Sequence, residues 1–291
     1  MSFNLSDLSL YTQENTDLIA EAVLATKELE NVAIRTGVPT GKTSINVFSG
    51  TISEQDRDCA LTDSGELVFE QIEVTVEDKA VAQSLCPTTL RDYWMSERMR
   101  PGAAGGEEVP FAETIAQYVS NSVQANISDF IGTAIKNQIT VANGAQLQGG
   151  TPAALTVANA IDQLNDLYDA LDERVKMMDD IVIFLSPAHY RTAVRALVAG
   201  DFRNYGFGEG DGDIMLPGTT AKLVKAQGLI GSDYIAAFPS KYAIAVFGLE
   251  SDDENIRMVY DQVSDQVKLR AYYRRGLGVY SVDQCATNGL A

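Results

Sequence analysis

The chain has 291 residues, of which 45% are hydrophobic, and its 40 acidic against 22 basic residues give a formal net charge of −18. That acidity argues against a nucleic-acid-binding protein, because such proteins bind largely by neutralising phosphates with basic residues. No apolar run approaches the ~18–20 residues of a membrane-spanning helix. The first ten residues, MSFNLSDLSL, lack the basic and long apolar regions of a secretory signal. We therefore expect a soluble protein made in a cytosol, with no membrane partner.

The cysteines indicate a reducing compartment. Cys59, Cys86 and Cys285 are odd in number and show no CxxC spacing. A redox or nucleophilic thiol is one interpretation, but small buried apolar residues are the better one.

The N-terminal region is polar and is interpreted as an arm. Residues 1–35 contain one amphipathic segment, over 15–29, and no apolar stripe large enough for a domain of their own. Such an arm has to lie against another surface.

From Thr43 onward the pattern changes to a period of two, which predicts strands over 44–48 and 66–77. The loop between them, residues 49–65, is polar and contains the charged residues Glu54, Asp56, Arg57, Asp58 and Asp63. A hairpin with a polar tip cannot bury itself, so we expect it to project or to pack on a neighbouring molecule.

A proline- and glycine-rich break over 101–106 precedes the longest predicted helix. Glu107, Glu108 and Pro110 favour a helix start, because the dipole and the unpaired amides of a first turn tolerate acids and proline. Apolar residues then recur at steps of three and four as far as Gln138. About 28–30 residues at ~1.5 Å each make a rod of about 40–45 Å.

Residues 153–250 have the alternating pattern of an α/β unit. Helices are predicted over 157–171 and 187–197, and Ser186 is the expected N-cap of the second. Buried or short strands are predicted over 180–185, 223–225, 234–237 and 243–247, with a glycine-rich loop over 200–212.

The last predicted element is a long hairpin over 255–283. Apolar residues alternate with polar ones through 256–261 and through 267–274, on either side of a polar turn. One face is therefore buried and the other carries charge.

This hairpin contains the one basic aromatic cluster of the sequence: Arg270, Tyr272, Tyr273, Arg274 and Arg275. Such a cluster can stack on single-stranded bases. Our preferred interpretation is contact with acidic surface, either elsewhere in the molecule or on a neighbouring subunit.

Two glycine-rich segments resemble phosphate-binding loops but lack their requirements. Residues 37–43 have three residues where the P-loop needs four and lead into a strand instead of a helix. Residues 206–212 follow a helix and carry acids that would repel a pyrophosphate. Neither segment predicts a nucleotide site.

His189 is the only histidine, so a serine or cysteine hydrolase would have to use it. Ser186 lies three residues earlier, where the role of a helix N-cap explains it better than that of a nucleophile. A histidine-containing metal site would lack a second histidine. The sequence therefore predicts no catalytic residue, no metal site and no cofactor.

The order of these parts resembles the major capsid proteins of tailed bacteriophages, which share the HK97 fold. The resemblance covers nearly the whole chain and depends on the order of the parts more than on any one motif. The best-matching segments are 102–106, 180–187 with the following helix, 216–218 and 267–274.

This resemblance implies an α+β capsid fold and assigns each segment a part. The parts are an N-terminal arm over 1–40, an E-loop hairpin over 41–84, a first P-domain segment over 85–152 with its spine helix over 107–140, an α/β A-domain over 153–250 and a second P-domain segment over 251–291. The implied subunit interface comprises Glu54, Asp56, Arg57, Asp58, Lys268, Arg270 and Arg274.

The resemblance also implies a structural protein and not an enzyme. It implies self-assembly into hexamers and pentamers that form the icosahedral head of a double-stranded DNA phage, with assembly in the host cytoplasm and final location in the virion. Portal, scaffolding and decoration proteins would be further partners, and DNA would be enclosed without sequence-specific binding. An encapsulin-like compartment shell is the nearest alternative, and a hydrolase using His189 is the alternative from another class.

Overall fold

The computed structural model describes residues 26–52, 65–85, 111–200, 214–248, 256–261 and 266–290, which form a mixed α+β fold with two six-stranded sheets. In chain order the elements are β1 (Ala33–Thr36), β2 (Gly41–Ile52), β3 (Gly65–Leu85), α1 (Phe111–Gln138), β4 (Gln146–Leu147), α2 (Ala160–Asp169), α3 (Glu173–Lys176), β5 (Ile181–Leu185), α4 (Pro187–Ala199), β6 (Ile214–Met215), β7 (Lys222–Lys225), β8 (Ala236–Pro239), β9 (Ala243–Phe247), β10 (Ile256–Asp261), β11 (Gln266–Val279) and β12 (Ala286–Thr287). Within these ranges, no helix combines the length and apolar composition that crossing a membrane requires.

The first sheet contains both hairpins that the sequence predicts. Its strand order is β1-β9-β11-β3-β2, and β10 pairs with β11 beside this path. β2 and β3 are antiparallel from the pair Gly41–Val76 to the pair Ile52–Gly65. β10 and β11 are antiparallel as well, and Asp261 lies opposite Gln266 next to the turn.

β3 is longer than predicted because it changes partner along its length. Its first part pairs with β2 as far as Val76, and its second part, from Glu77 to Leu85, pairs with β11. The 21 residues span about 70 Å at ~3.3 Å per residue. One continuous strand thus belongs both to the hairpin and to the centre of the first sheet.

Two glycines of β11 allow the base of this hairpin to lie directly on the strand. A Cβ atom on Gly278 would stand 2.3 Å from Val74 Cγ2, and one on Gly276 would stand 2.8 Å from the Thr75 carbonyl oxygen. Neither distance is compatible with a side chain. The crossing buries a small apolar cluster made of Val38, Ile45, Val74, Val76 and Val246.

The long predicted helix is present as α1, with 28 residues. Its buried stripe recurs every four residues through Val119, Val123, Ile127, Ile131 and Ile135, and Ile139 continues it directly after the helix end. This stripe packs on Leu269 and Tyr273 of the first sheet and on Phe184 and Phe238 of the second. The helix is therefore the shared core of both sheets.

The second sheet has the order β4-β12-β8-β5-β7-β6. β5 and β7 are parallel and are joined through α4, as an α/β unit requires. Val182 and Phe184 of β5 face α1, whereas Ile183 and Leu185 face α2 and α4. Burial on both faces explains the uninterrupted apolar run in this strand.

The two sheets share the chain differently from the sequence-based segments. Ala243–Phe247, which the sequence groups with residues 153–250, pairs with β1 and β11 in the first sheet. Ala286–Thr287, near the end of the chain, pairs with β4 and β8 in the second. The boundary between 250 and 251 therefore does not separate the sheets.

Candidate functional site

His189 lies in the first turn of α4, where Ser186 caps the helix as the sequence predicts. The His189 backbone N–H donates to Ser186 Oγ over 3.3 Å. The imidazole Nε2 lies 3.1 Å from Asp233 Oδ1, and Nδ1 is buried without a hydrogen-bond partner. A serine–histidine pair needs a hydrogen bond between hydroxyl and ring, and these side chains make none. The arrangement connects α4 to the loop at Asp233 and does not activate a nucleophile.

The described residues contain neither a reactive thiol nor a cluster of metal ligands. Cys285 is buried, and desolvation, helped by the Asp283 charge, raises the pKa of its thiol to about 12. A thiol with that pKa is not a nucleophile at neutral pH. Cys59 and Cys86 lie outside the described residues. Within the described ranges, no three His, Cys, Asp or Glu residues lie close enough to hold a metal ion.

The charged face of β11 is formed as its alternation predicts, and part of it is neutralised within the chain. Arg274 Nε donates to Asp78 Oδ1 over 2.9 Å, and these residues lie opposite each other on β11 and β3. The Lys268 ammonium donates to the Asp261 carboxylate on β10. Arg270 is exposed. Of the predicted interface residues, Glu54, Asp56, Arg57 and Asp58 lie outside the described residues.

The basic aromatic cluster is divided between the two faces of β11. Arg270, Tyr272 and Arg274 lie on the charged face, whereas Tyr273 and Arg275 face α1. The Arg275 guanidinium donates to the Asn126 carbonyl over 2.8 Å and stacks on the Phe130 ring at 4.4 Å. A continuous surface for stacking bases is therefore not formed by these five residues.

Gln138, at the end of α1, has a role that its sequence context does not reveal. Its Nε2 donates to the Leu277 carbonyl over 2.6 Å, and its Oε1 accepts from the Val279 N–H over 2.7 Å. One side-chain amide thus satisfies both backbone groups on β11 and fixes the helix end to the strand. Only the tertiary fold brings these residues together, since they are about 140 positions apart.

No protein-family model matches the sequence, and no curated protein matches it. Solved structures do match. A structure from Gordonia phage Cozz covers 89% of this chain and 84% of its own, with a TM-score of 0.57 and 10% identity. The capsid structure of cyanophage P-SCSP1u covers 90% and 87%, with a TM-score of 0.53 and 12% identity.

The chain has the HK97-like capsid fold. The same fold also occurs in the holo-SrpI encapsulin complex of Synechococcus elongatus, which matches with a TM-score of 0.54 and 12% identity over 91% of this chain and 87% of its own. At identities of 10–12%, what these structures share with the chain is the fold. The HK97-like fold predicted from the order of the sequence segments is therefore confirmed.

Proposed function

We propose that this chain is a shell subunit, the major capsid protein of a tailed double-stranded DNA phage. Copies of it would form hexamers and pentamers that close into an icosahedral head. The observation that carries the proposal is the fold shared with the cyanophage P-SCSP1u capsid structure and the Gordonia phage Cozz structure, over 90% and 89% of the chain.

Unpaired strand edges support assembly with other copies. β2 is the last strand of the first sheet, and among the described strands it pairs only with β3. Polar groups on an open strand edge favour pairing or covering by another chain. A two-stranded ribbon is also only marginally stable by itself in water. A neighbouring subunit that covers β2 would stabilise it.

The parts of the fold suggest the following assignment. Residues 1–40 would be the N-terminal arm, 41–84 the E-loop hairpin, 85–152 and 251–291 the P-domain with α1 as its spine helix, and 153–250 the A-domain. The charged tip of the hairpin and the charged face of β11 would then contribute to subunit boundaries. Arg270 is the best candidate on that face, because Lys268 and Arg274 already have partners within the chain.

The charge of the chain suits a container that does not bind its contents. A formal charge of −18 disfavours tight contact with phosphate, so DNA would be enclosed without sequence-specific binding. We place the mature protein in the virion, after assembly in the host cytoplasm with portal, scaffolding and decoration proteins as partners.

An encapsulin-like compartment is the second candidate, because the encapsulin structure matches over as much of the chain as the phage structures do. The contents of native particles distinguish the two. Nuclease-protected double-stranded DNA of uniform length supports the phage head, whereas a stoichiometric cargo protein without DNA would replace it with the compartment. A preparation with no closed particles would contradict both.

A further inference from the structure

Two helices lie side by side on the outer face of the second sheet. α2 packs over β8 and β12, and α4 packs over β5 and β7. Leu164 and Leu167 of α2 meet Ala193 and Leu197 of α4 in one buried cluster. The opposite sides of both helices are left in contact with solvent.

The solvent side of α2 is acidic. Asp162 and Asp169 are exposed two turns apart, with the half-buried Asp166 between them, and α2 contains no lysine or arginine. Asp169 lies 4.0 Å from the Lys176 ammonium, which is nearer to Glu173 at 3.0 Å. The stripe of Asp162, Asp166 and Asp169, called here the acidic stripe, thus keeps most of its charge.

The solvent side of α4 is basic. Arg191 and Arg195 are exposed one turn apart, and Val198 extends the same side with 40% of its surface exposed. α4 contains no acidic residue. Neither arginine has an ion-pair partner within the described ranges. The two arginines are therefore exposed neighbouring cations in a chain with 40 acidic residues. Arg191 and Arg195 are called here the basic stripe.

We propose that the acidic stripe of one copy binds the basic stripe of a second copy of this chain. The inference rests on the proposed shell function and specifies one contact within it. The two stripes belong to different helices that cover different strands, so each copy presents both halves of a complementary pair. Such a contact can repeat from copy to copy, as a heterologous interface does.

Charge also gives this contact selectivity. Opposite charges steer the copies together, whereas two acidic or two basic stripes that meet repel each other. The stripes have comparable lengths, since the seven steps from Asp162 to Asp169 span about 10.5 Å and the four steps from Arg191 to Arg195 span about 6 Å at ~1.5 Å per step. Exposed ion pairs of this kind weaken in high salt, because the Debye screening length falls from about 10 Å at 0.1 M to about 3 Å at 1 M.

Charge reversal of the full-length chain tests the contact. We expect R191E/R195E, and separately D162R/D169R, to lower the yield of particles by at least about tenfold, as a weakening of each contact by ~1.4 kcal/mol would do. The combined variant D162R/D169R/R191E/R195E exchanges the two charges and should assemble again. Circular dichroism and melting temperature confirm that each exposed substitution leaves the subunit folded.

The matched control is R35E/R174E, which changes the net charge by the same amount at two exposed arginines outside both stripes. It should assemble like the unmodified chain. Particles from R191E/R195E at normal yield would overturn the contact alone, and so would loss of assembly in the control or a failure of the combined variant to recover. An unmodified chain that forms no particles would overturn the shell function and the contact together.

Discussion

At the scale of single residues, Gly276 and Gly278 decide how the hairpin meets the first sheet. A side chain at either position would overlap with Val74 or with the Thr75 carbonyl. These glycines continue the positions of Lys268, Arg270, Tyr272 and Arg274, so the alternation alone predicts polar side chains of the charged face there. The crossing of β3 over β11 explains why they are glycines.

We predict that Gly278→Ala destabilises the subunit by ~1–3 kcal/mol, the usual result of overpacking a core. Chemical denaturation measures the change in the free energy of unfolding. Because the new methyl group would meet Val74, the double variant Gly278→Ala/Val74→Ala should lose less stability than the sum of the single variants. Additive losses, or a Gly278→Ala protein as stable as the original, would contradict the crossing.

The ion pair at the hairpin base predicts a pH response. Lys42 Nζ lies 2.7 Å from Glu73, and the hydrogen bond and then the charge of Lys42 lower the pKa of that carboxyl from its ordinary 4.5. Since the folded-state pKa is the lower one, the pair stabilises the fold above pH 4.5, and this contribution disappears as the pH falls through the folded-state pKa. Both side chains are largely exposed, so the effect is small.

Carbon-detected NMR titration of the soluble subunit checks this directly. The pKa of Glu73 should lie below 4.5 and should return to it in Lys42→Met. Lys79→Met is the control, because Lys79 pairs with Glu77 and not with Glu73. A Glu73 pKa that does not respond to Lys42→Met would show that the pair is not formed in solution.

At the scale of elements, periodicity in the sequence was sufficient to predict the two hairpins, the long helix α1 and the capped helix α4. It could not show that β3 continues along β11, because residues such as Lys79 and Tyr273 pair across nearly 200 positions. Nor could it place β9 in the first sheet, since a buried strand of five residues suits either sheet. β4 and β12, with two residues each, carry no pattern at all.

The same limits apply to the charged residues. Alternation predicts which side chains of β11 share a face, but the partner of Arg274 on β3 and the position of Arg275 against α1 depend on packing between distant segments. The acidic and basic stripes are visible in the sequence only after the buried faces of α2 and α4 are known.

The pairing of β3 also determines how the hairpin can be removed. A deletion of 44–80, which covers most of the predicted E-loop hairpin, would take away residues 77–80, which pair with β11. Asn46 and Gln71 lie opposite each other and are joined by a side-chain hydrogen bond of 2.9 Å, so a two-residue Asn-Gly turn can replace residues 47–70. We predict that this shortened chain folds and does not form closed particles.

Negative-stain microscopy and circular dichroism together measure that outcome. The unmodified chain, prepared in parallel, is the reference for both measurements. Normal closed particles from the shortened chain would show that the hairpin is dispensable for assembly.

At the scale of the whole molecule, α1 joins two sheets that also exchange strands through β9 and β12. Its buried stripe contacts both, and Gln138 fixes its end to β11. One buried cluster thus spans both sheets, while the outer edge of β2 and the solvent sides of α2 and α4 remain uncovered by the described residues. A buried core beside uncovered surfaces is the arrangement that the proposed shell subunit needs.

The mass of the native particle tests the shell function most directly. The subunit has a mass of 31.5 kDa, so light scattering distinguishes a free chain from an assembly without ambiguity. We predict a homogeneous particle of megadalton mass, visible as a closed shell by microscopy. A species that stays at the mass of one or a few subunits, under conditions where the chain is folded, would contradict the shell function.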